Sequence, residues 1–148
     1  MISVIQRCSK AKVDIKNKTV GEIGHGMVVL LGIQKDDSKE DADYLVKKLS
    51  TLRMFNDSDN KMNLSIKDVK GSALVISQFT LCGDTKKGRR PSFINAETPE
   101  KGKAIYDYFL LRLEEESVPM QSGQFGEMMD VSLINDGPVT FILQSHDK

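Results

Sequence analysis

Two uninterrupted apolar runs decide the fold of this chain: Met27-Val28-Val29-Leu30-Leu31 and Ala73-Leu74-Val75-Ile76. Neither run alternates with polar residues, which is typical of strands buried on both faces of a sheet. Outward from them, residues 11–15 alternate apolar and charged side chains, and a second short run, residues 19–23, follows Asn17-Lys18. This pattern predicts a hairpin with one face in water.

Two helices are predicted between and after these strands. The first follows Ser38, with acidic residues in its first turn, where they favour the helix dipole. Its apolar positions recur at helical spacing: Ala42, Leu45, Val46, Leu49 and Leu52. The second begins at Thr98-Pro99, as N-cap and first helical residue, and should fray at residues 114–116, three glutamates that oppose the dipole. We expect it to bury Ile105, Tyr108 and Phe109.

The C-terminal third returns to strands. Residues 131–134 and 139–143 are the predicted strands, joined by Asn135-Asp136-Gly137-Pro138, and the polar residues 56–63 are a predicted loop. The order of strands, helix, strand, helix and strands predicts an α+β fold, with a curved, mainly antiparallel sheet or open barrel packed against two helices. No repeat or linker divides the chain, so we expect a single domain over residues 1–148.

Composition limits the function classes. Hydrophobic residues make up 39% of the 148 residues and charged ones 28%, which excludes collagen-like, wholly disordered and helical membrane chains. The formal net charge is zero, so a site for a polyanion has to be a local cluster of cations. The two cysteines, Cys8 and Cys82, provide neither a disulfide framework nor a zinc spacing. We expect a cytoplasmic protein without a signal peptide or membrane partner.

Several common catalytic arrangements are absent from the sequence. His25 lies between glycines in a predicted turn and His146 lies near the C-terminus, so neither is well placed as a buried general base. The sequence contains no nucleophile elbow, phosphate-binding loop, dinucleotide fingerprint or metal-ligand spacing. No cofactor and no metal ion are therefore expected.

Polar side chains follow the second apolar run. Ser77, Gln78, Phe79 and Thr80 come directly after it. Hydroxyl, amide and backbone N–H groups at a strand end can be directed at a developing oxyanion if that end faces a cleft. The alternative is a strand end whose polar residues simply face water.

The segment Asn135-Asp136-Gly137-Pro138-Val139-Thr140 allows two interpretations. Asp-Gly between two strands is a common hairpin signal. However, Pro138 would occupy the fourth turn position, where it lacks the N–H that normally closes the turn. A cis Gly137-Pro138 bond would instead form a rigid main-chain ledge, which can test the shape of a ligand without side-chain chemistry.

Four cations cluster in one short segment that contains glycine and proline: Lys86, Lys87, Arg89 and Arg90. Phe93 follows three residues after the last of them. The cluster fits phosphate binding with stacking on the aromatic ring, and a solvated charged loop is the alternative.

Together these segments closely resemble the D-aminoacyl-tRNA deacylase family, long described through D-tyrosyl-tRNA hydrolysis. The likeness runs nearly end to end and includes residues 4–7, 24–32, 40–45, 61–65 and 84–93 besides the two segments at 77–81 and 135–140. Such proteins are homodimers with active sites at the subunit interface, and they hydrolyse the ester that joins a D-amino acid to the terminal ribose of tRNA. Members of the family also accept glycyl-tRNA.

The resemblance assigns roles to the residues singled out above. Ser77, Gln78, Phe79 and Thr80 are placed on the reaction side, and Gly137-Pro138, with Val139 and Thr140, forms the filter that rejects L-amino acids. The basic residues Lys86, Lys87, Arg89 and Arg90, with Phe93, bind tRNA, and Phe125 and Met129 line the pocket. One departure is Glu127, where the family commonly has a small residue. It is expected to narrow the pocket or repel the phosphates of the acceptor end, which affects the preference for glycyl over D-aminoacyl substrates.

The residues also favour one mechanism. Gln78 and the N–H groups around Phe79 and Thr80 are candidates to stabilise the oxyanion. A nucleophilic Thr80 lacks an obvious base, so a water assisted by the neighbouring ribose hydroxyl is preferred. Two other classes remain open: a module that binds tRNA ends without turnover, and a barrel that binds small molecules or hydrolyses imines.

Overall fold

The computed structural model describes residues 1–145. In this part of the chain the elements are, in order, β1 (Ile2–Ile15), β2 (Lys18–Ile23), β3 (Gly26–Gly32), α1 (Lys39–Thr51), β4 (Phe55–Asn56), β5 (Met62–Leu64), β6 (Ser72–Ser77), a 3-10 helix (Phe79–Cys82), α2 (Pro99–Glu115), β7 (Met120–Ser122) and β8 (Asp130–Gln144).

The long strand β1 organises the main sheet, because it pairs with three other strands. Its first half is antiparallel to β3 and its second half to β2, while β8 runs antiparallel along both halves on its other edge. Shifts of register near Cys8 and between Val13 and Asp14 interrupt the ladder, and irregularities of this kind bend strands. A bent β1 can pair with β3 along its first half and with β2 along its second half.

Parallel pairing completes the sheet, with β6 lying between β3 and β7 in the order β2-β1-β3-β6-β7. Strand β2 also approaches β6 and β7 across the open side, so the mixed sheet is nearly closed and resembles a barrel. The predicted fold class, a curved sheet or open barrel with two helices, is confirmed.

The two apolar runs form β3 and β6, which lie side by side and are buried on both faces as predicted. One set of their side chains, including Val29 and Val75, belongs to the core beneath the helices. The alternate set, including Val28 and Leu74, belongs to a second core inside the curved sheet. Both faces of β3 and β6 are therefore buried, each against a different core, which explains why their sequences are apolar without interruption.

Helix α1 begins where its sequence predicts. Asp41 Oδ2 accepts hydrogen bonds from Ser38 N at 2.8 Å and from Ser38 Oγ at 3.1 Å, which satisfies the polar groups at the helix start. Its predicted apolar positions are buried up to Leu49, whereas Leu52 follows the helix as its C-cap and is half-buried.

Helix α2 starts at Pro99 as predicted, but it differs from the prediction in two respects. Ile105 and Phe109 are buried, whereas Tyr108 is half-buried, because its hydroxyl donates to Asp43 of α1. The buried tyrosine of this helix is Tyr106 instead, 2% exposed. The helix also remains ordered to Glu115: the last turn is held by an ion pair between Arg112 and Glu115, and Glu116 accepts from Lys67 at 2.7 Å.

Strand boundaries are where the sequence-based predictions were wrong. Strand β1 begins at Ile2 rather than near residue 11. The loop predicted at residues 56–63 is shorter, because β4 ends at Asn56, β5 begins at Met62, and residues 57–61 connect them as a hairpin. Residues 131–134 and 139–143 are not two strands with a connection between them. They are parts of the single strand β8, which passes through residues 135–138 because β1 pairs with it on both sides of a register shift.

Candidate active site

A cavity of about 480 Å³ opens beside the end of β6. Three segments surround it: the chain from β6 into the 3-10 helix, the start of α2, and the loop between β7 and β8. Its size is within the range of small-molecule sites. Apolar side chains form most of the lining: Leu31, Ile33, Ile76, Phe79, Phe125, Met128, Met129 and Val131.

Three of the four residues predicted on the reaction side line this cavity: Ser77, Gln78 and Phe79. The main chain of Gln78 is fixed by its N–H, which donates to Leu31 O at 2.7 Å. The Gln78 side chain bends forward, and its Nε2 lies 2.5 Å from Thr80 Oγ1. Thr80 itself is exposed and is not among the lining residues.

The loop between β7 and β8 supplies the opposite wall and is held at several points. Phe125, predicted in the pocket lining, packs on Tyr106 with ring centroids 5.6 Å apart. Tyr106 Oη donates to Val75 O at 3.0 Å, and Gly123 N donates to the same oxygen at 3.1 Å. Burial raises the pKa of Tyr106 to about 12, so the hydroxyl stays protonated as a donor. The predicted Met129 also lines the cavity.

Two carboxylates lie at the cavity, and they differ in their surroundings. Glu97, with a side chain 8% exposed, accepts from Lys101 Nζ at 2.9 Å and from Thr98 N at 2.8 Å. These contacts, chiefly the Lys101 hydrogen bond, lower its pKa. Glu127 is exposed, and within residues 1–145 no ion pair involves it. Glu127 therefore carries the uncompensated negative charge at the cavity.

The basic segment is joined to the cavity through two phenylalanines. Asp84 and Ser92 close the loop with reciprocal backbone hydrogen bonds of 2.7 and 2.9 Å. Directly after it, Phe93 packs edge-on against Phe79 with centroids 5.0 Å apart. The four cations are exposed and take part in none of the ion pairs of the described chain: Lys86, Lys87, Arg89 and Arg90.

The Gly137-Pro138 peptide bond is cis, and the surrounding main chain is tightly held. Arg7, whose side chain is only 7% exposed, donates from Nε to Asp136 O at 3.0 Å and from Nη1 to Met54 O at 3.0 Å. Asn135 Oδ1 accepts from Val139 N at 2.9 Å. Side chains on both flanks thus fix the course of residues 135–139.

Residues 137–140 do not line the cavity of their own chain. Gly137, Pro138 and Thr140 are exposed on β8, and Val139 is buried beneath the helices. The structure therefore brings Ser77, Gln78 and Phe79 together with Phe125 and Met129, but it does not bring the Gly137-Pro138 segment to them within one chain.

Arg7 is the important residue that sequence reasoning missed. A signal was available, because Arg7 follows Ser3 and Ile5 on the face of β1 that points to the helices. A charged residue at a position where the alternation of the strand predicts burial needs hydrogen-bond partners. Here the partners are main-chain oxygens of distant segments. Nothing in the local sequence identifies those partners.

The remaining expectations concern histidines, metals and membranes. His25 is exposed and packs edge-on against Phe55 outside the cavity, while His146 lies outside the described residues. Among residues 1–145, no cluster of three or more His, Cys, Asp or Glu side chains is arranged to hold a metal ion. In the same range, no helix is both long and apolar enough to span a membrane.

Comparisons with known proteins identify the family of this chain. The family model described as D-Tyr-tRNA(Tyr) deacylase matches residues 4–144. A D-aminoacyl-tRNA deacylase of Persephonella marina is 55% identical over 145 residues, covering 98% of each chain. Another, of Pasteurella multocida, is 54% identical over 144 residues, covering 97% of this chain and 99% of the relative.

Solved structures show the same architecture. A chain titled c-Myc DNA Unwinding Element Binding Protein superposes with a TM-score of 0.93 at 35% identity, covering 99% of this chain and all of the other. A structure titled as a probable eukaryotic D-amino acid tRNA deacylase gives 0.82 at 19% identity, covering 96% and 97%, which supports the fold alone. With a family model spanning the described chain and full-length relatives above 50% identity, this chain belongs to the D-aminoacyl-tRNA deacylase family, hydrolases that act on an ester bond.

Proposed function

We propose that this protein hydrolyses the ester of D-aminoacyl-tRNA and of mischarged glycyl-tRNA in the cytoplasm, and leaves L-aminoacyl-tRNA intact as an editing step of translation. One observation carries the proposal beyond family membership. A cavity of small-molecule size with polar groups at its edge is joined, through Phe79 and Phe93, to a loop whose four cations form no ion pair within residues 1–145. An aminoacyl ester at the end of a polyanion fits a site with both parts.

The start of the 3-10 helix is the proposed oxyanion site. The N–H groups of Phe79 and Thr80 open this helix, where the first N–H groups lack acceptors within the helix. Gln78 N is already bonded to Leu31, which leaves its side-chain amide and the two following N–H groups as donors. Removing one such donor typically costs about 2.7–4 kcal/mol of transition-state stabilisation.

A water is the proposed nucleophile, in preference to Thr80. The hydroxyl of Thr80 is bonded to the amide of Gln78, and an amide cannot accept the proton that a nucleophilic threonine would lose. A neighbouring hydroxyl of the terminal ribose can assist the water instead. Aminoacyl esters are reactive, so fixed geometry and oxyanion stabilisation suffice without a catalytic triad.

A second copy of the chain is proposed to complete the site. Gly137 and Pro138 are exposed on β8, which among the described strands pairs with β1 only, and they lie outside the cavity of their own chain. On the same strand Ile142 is 67% exposed, an apolar side chain that a partner would cover. We place the active sites of this homodimer at its interface, with the ledge of one subunit facing the cavity of the other.

Rejection of L-substrates is then steric. If main-chain groups hold the amino group and carbonyl of the substrate, a D side chain points to the open rim, while an L side chain collides with the ledge. A ledge held by Arg7 and Asn135 has little freedom to move aside. Glycine has no side chain to collide, so glycyl-tRNA is accepted on the same grounds.

The test measures deacylation of D-tyrosyl-, L-tyrosyl- and glycyl-tRNA by the wild type and by Thr80→Ala. We expect release from the D- and glycyl-esters only, and retained turnover in the variant, because water is the nucleophile. Thr51→Ala, at an exposed threonine at the end of α1 that is not part of the cavity, is the matched control. Equal rates on both tyrosyl enantiomers, or binding of tRNA with an unchanged ester lifetime, would contradict the proposal.

A further inference from the structure

Two charged residues line the cavity, Glu97 and Glu127, and Glu127 takes part in no ion pair of the described chain. Glu127 lies in a turn in which its N–H donates to Gln124 O at 3.3 Å and Gly126 adopts a φ of +80°. Such a φ in the third turn position is typical of glycine and gives the turn a defined shape. The neighbouring Phe125 is packed on Tyr106. The main chain that carries Glu127 is therefore held by the turn and by the packing of Phe125.

Glu127 and Glu97, the other carboxylate at the cavity, differ in how their charges are balanced and in their exposure. The charge of Glu97 is balanced by Lys101 and by an N–H donor, and its side chain is almost buried. Glu127 is exposed at the opening, next to Met128, which is 90% exposed. The interior below is lined by apolar groups such as Leu31 and Ile76. Of the two carboxylates that line the cavity, Glu127 is therefore the one whose charge is left to interact with a substrate group at the rim.

We infer that Glu127 selects among substrates by the charge of the amino-acid side chain, favouring cationic and neutral D-residues over acidic ones. The inference rests on the proposed function, in which the D side chain points toward the rim. It concerns the side chain and not the α-ammonium group, which all substrates share. An exposed charge pair typically changes a rate by about two- to fivefold, so the effect is a graded preference.

The experiment compares D-glutaminyl- and D-glutamyl-tRNA, which have side chains of nearly the same shape and different charge. Each rate is normalised to the uncatalysed hydrolysis of the same ester. We expect the wild type to favour the D-glutaminyl ester about two- to fivefold at low salt, and less as salt screens the carboxylate. Glu127→Gln should bring the ratio toward one, and Glu127→Lys should invert it.

The matched control is Glu114→Gln, which removes an exposed carboxylate of α2 that does not line the cavity and should leave the ratio at the wild-type value. An unchanged ratio in both Glu127 variants, or an equal loss of rate on both substrates, would overturn the inference while the enzyme still hydrolyses D-esters. If the wild type hydrolyses no D-ester, the proposed function itself fails. The salt dependence of the wild-type ratio tests the inference even if a variant does not fold.

Discussion

Substituting Gly137 by alanine tests whether main-chain geometry at the ledge is as constrained as the structure indicates. Gly137 has a φ of +125°, which L side chains rarely adopt, and such strain costs about 1–3 kcal/mol. An added Cβ would lie 2.6 Å from Arg7 Nη2 and 2.9 Å from Val139 Cγ2. Arg7 cannot yield freely, because its guanidinium is buried and bonded to three acceptors.

The combined cost follows from these two terms. Displacing Arg7 far enough to lose one hydrogen bond from its charged group costs about 1.5–3 kcal/mol. Together with the strain, Gly137→Ala should lower the free energy of unfolding by about 2.5–6 kcal/mol. The same change moves the ledge, so hydrolysis of L-tyrosyl-tRNA should rise relative to the D-ester. Urea unfolding followed by circular dichroism gives the first quantity, and paired deacylation assays give the second.

Gly24→Ala is the matched control, because its Cβ would meet nothing within 4 Å and its φ lies outside the left-handed region that L side chains rarely adopt. We expect this control to remain within about 0.5 kcal/mol of the wild type. If Gly137→Ala were as stable as the control and rejected L-tyrosyl-tRNA as well as the wild type does, the reasoning about the ledge would be refuted.

Two further predictions concern the basic loop and the pocket wall. Lys87→Ala combined with Arg89→Ala should weaken tRNA binding and reduce the slope of log K against log salt concentration by roughly 1.5. Lys18→Ala, the control, should leave this slope unchanged. An unchanged slope in the double variant would show that the loop does not contact phosphates. Tyr106 has a pKa of about 12 in the fold against 10.0 in its unperturbed state, so the unfolded chain ionises first and stability should fall as the pH rises from 10 to 12. Tyr106→Phe should lose about 1 kcal/mol at neutral pH and show a smaller alkaline loss than the wild type, because burial also raises the pKa of Cys8 and of Tyr108. The exposed Tyr44→Phe should keep the full loss, and parallel pH profiles for all three proteins would refute the assignment.

Local sequence was sufficient for elements whose pattern reflects their burial. The apolar runs of β3 and β6 and the start of α1 at Ser38 were predicted because a strand buried on both faces and a capped helix have distinct patterns. The prediction that α2 buries Tyr108 was wrong, because the buried tyrosine is Tyr106. Helical spacing places both near the core, and only the packing of α1 against α2 decides which one is buried.

The candidate site could be predicted in parts but not as an assembly. Ser77, Gln78 and Phe79 were identified because polar groups follow a buried strand, and the cis bond at Pro138 was considered because proline lacks the N–H that a tight turn needs. The placement of Phe125 against α2 was not available from spacing. It depends on a contact between segments about twenty residues apart in the chain.

By itself, the sequence determined the apolar strands, the helix starts, the local basic cluster and the family to which the chain belongs. Only the tertiary structure decided that β1 begins at Ile2 and serves both ends of the sheet, that β8 passes unbroken through residues 135–138, and that Arg7 holds the ledge. The physical reason is that the burial of one face of a strand or helix sets a periodic pattern of apolar residues, which can be read from neighbouring positions in the sequence. Strand pairing and hydrogen bonds between distant segments depend instead on which groups the fold brings within about 3 Å of each other.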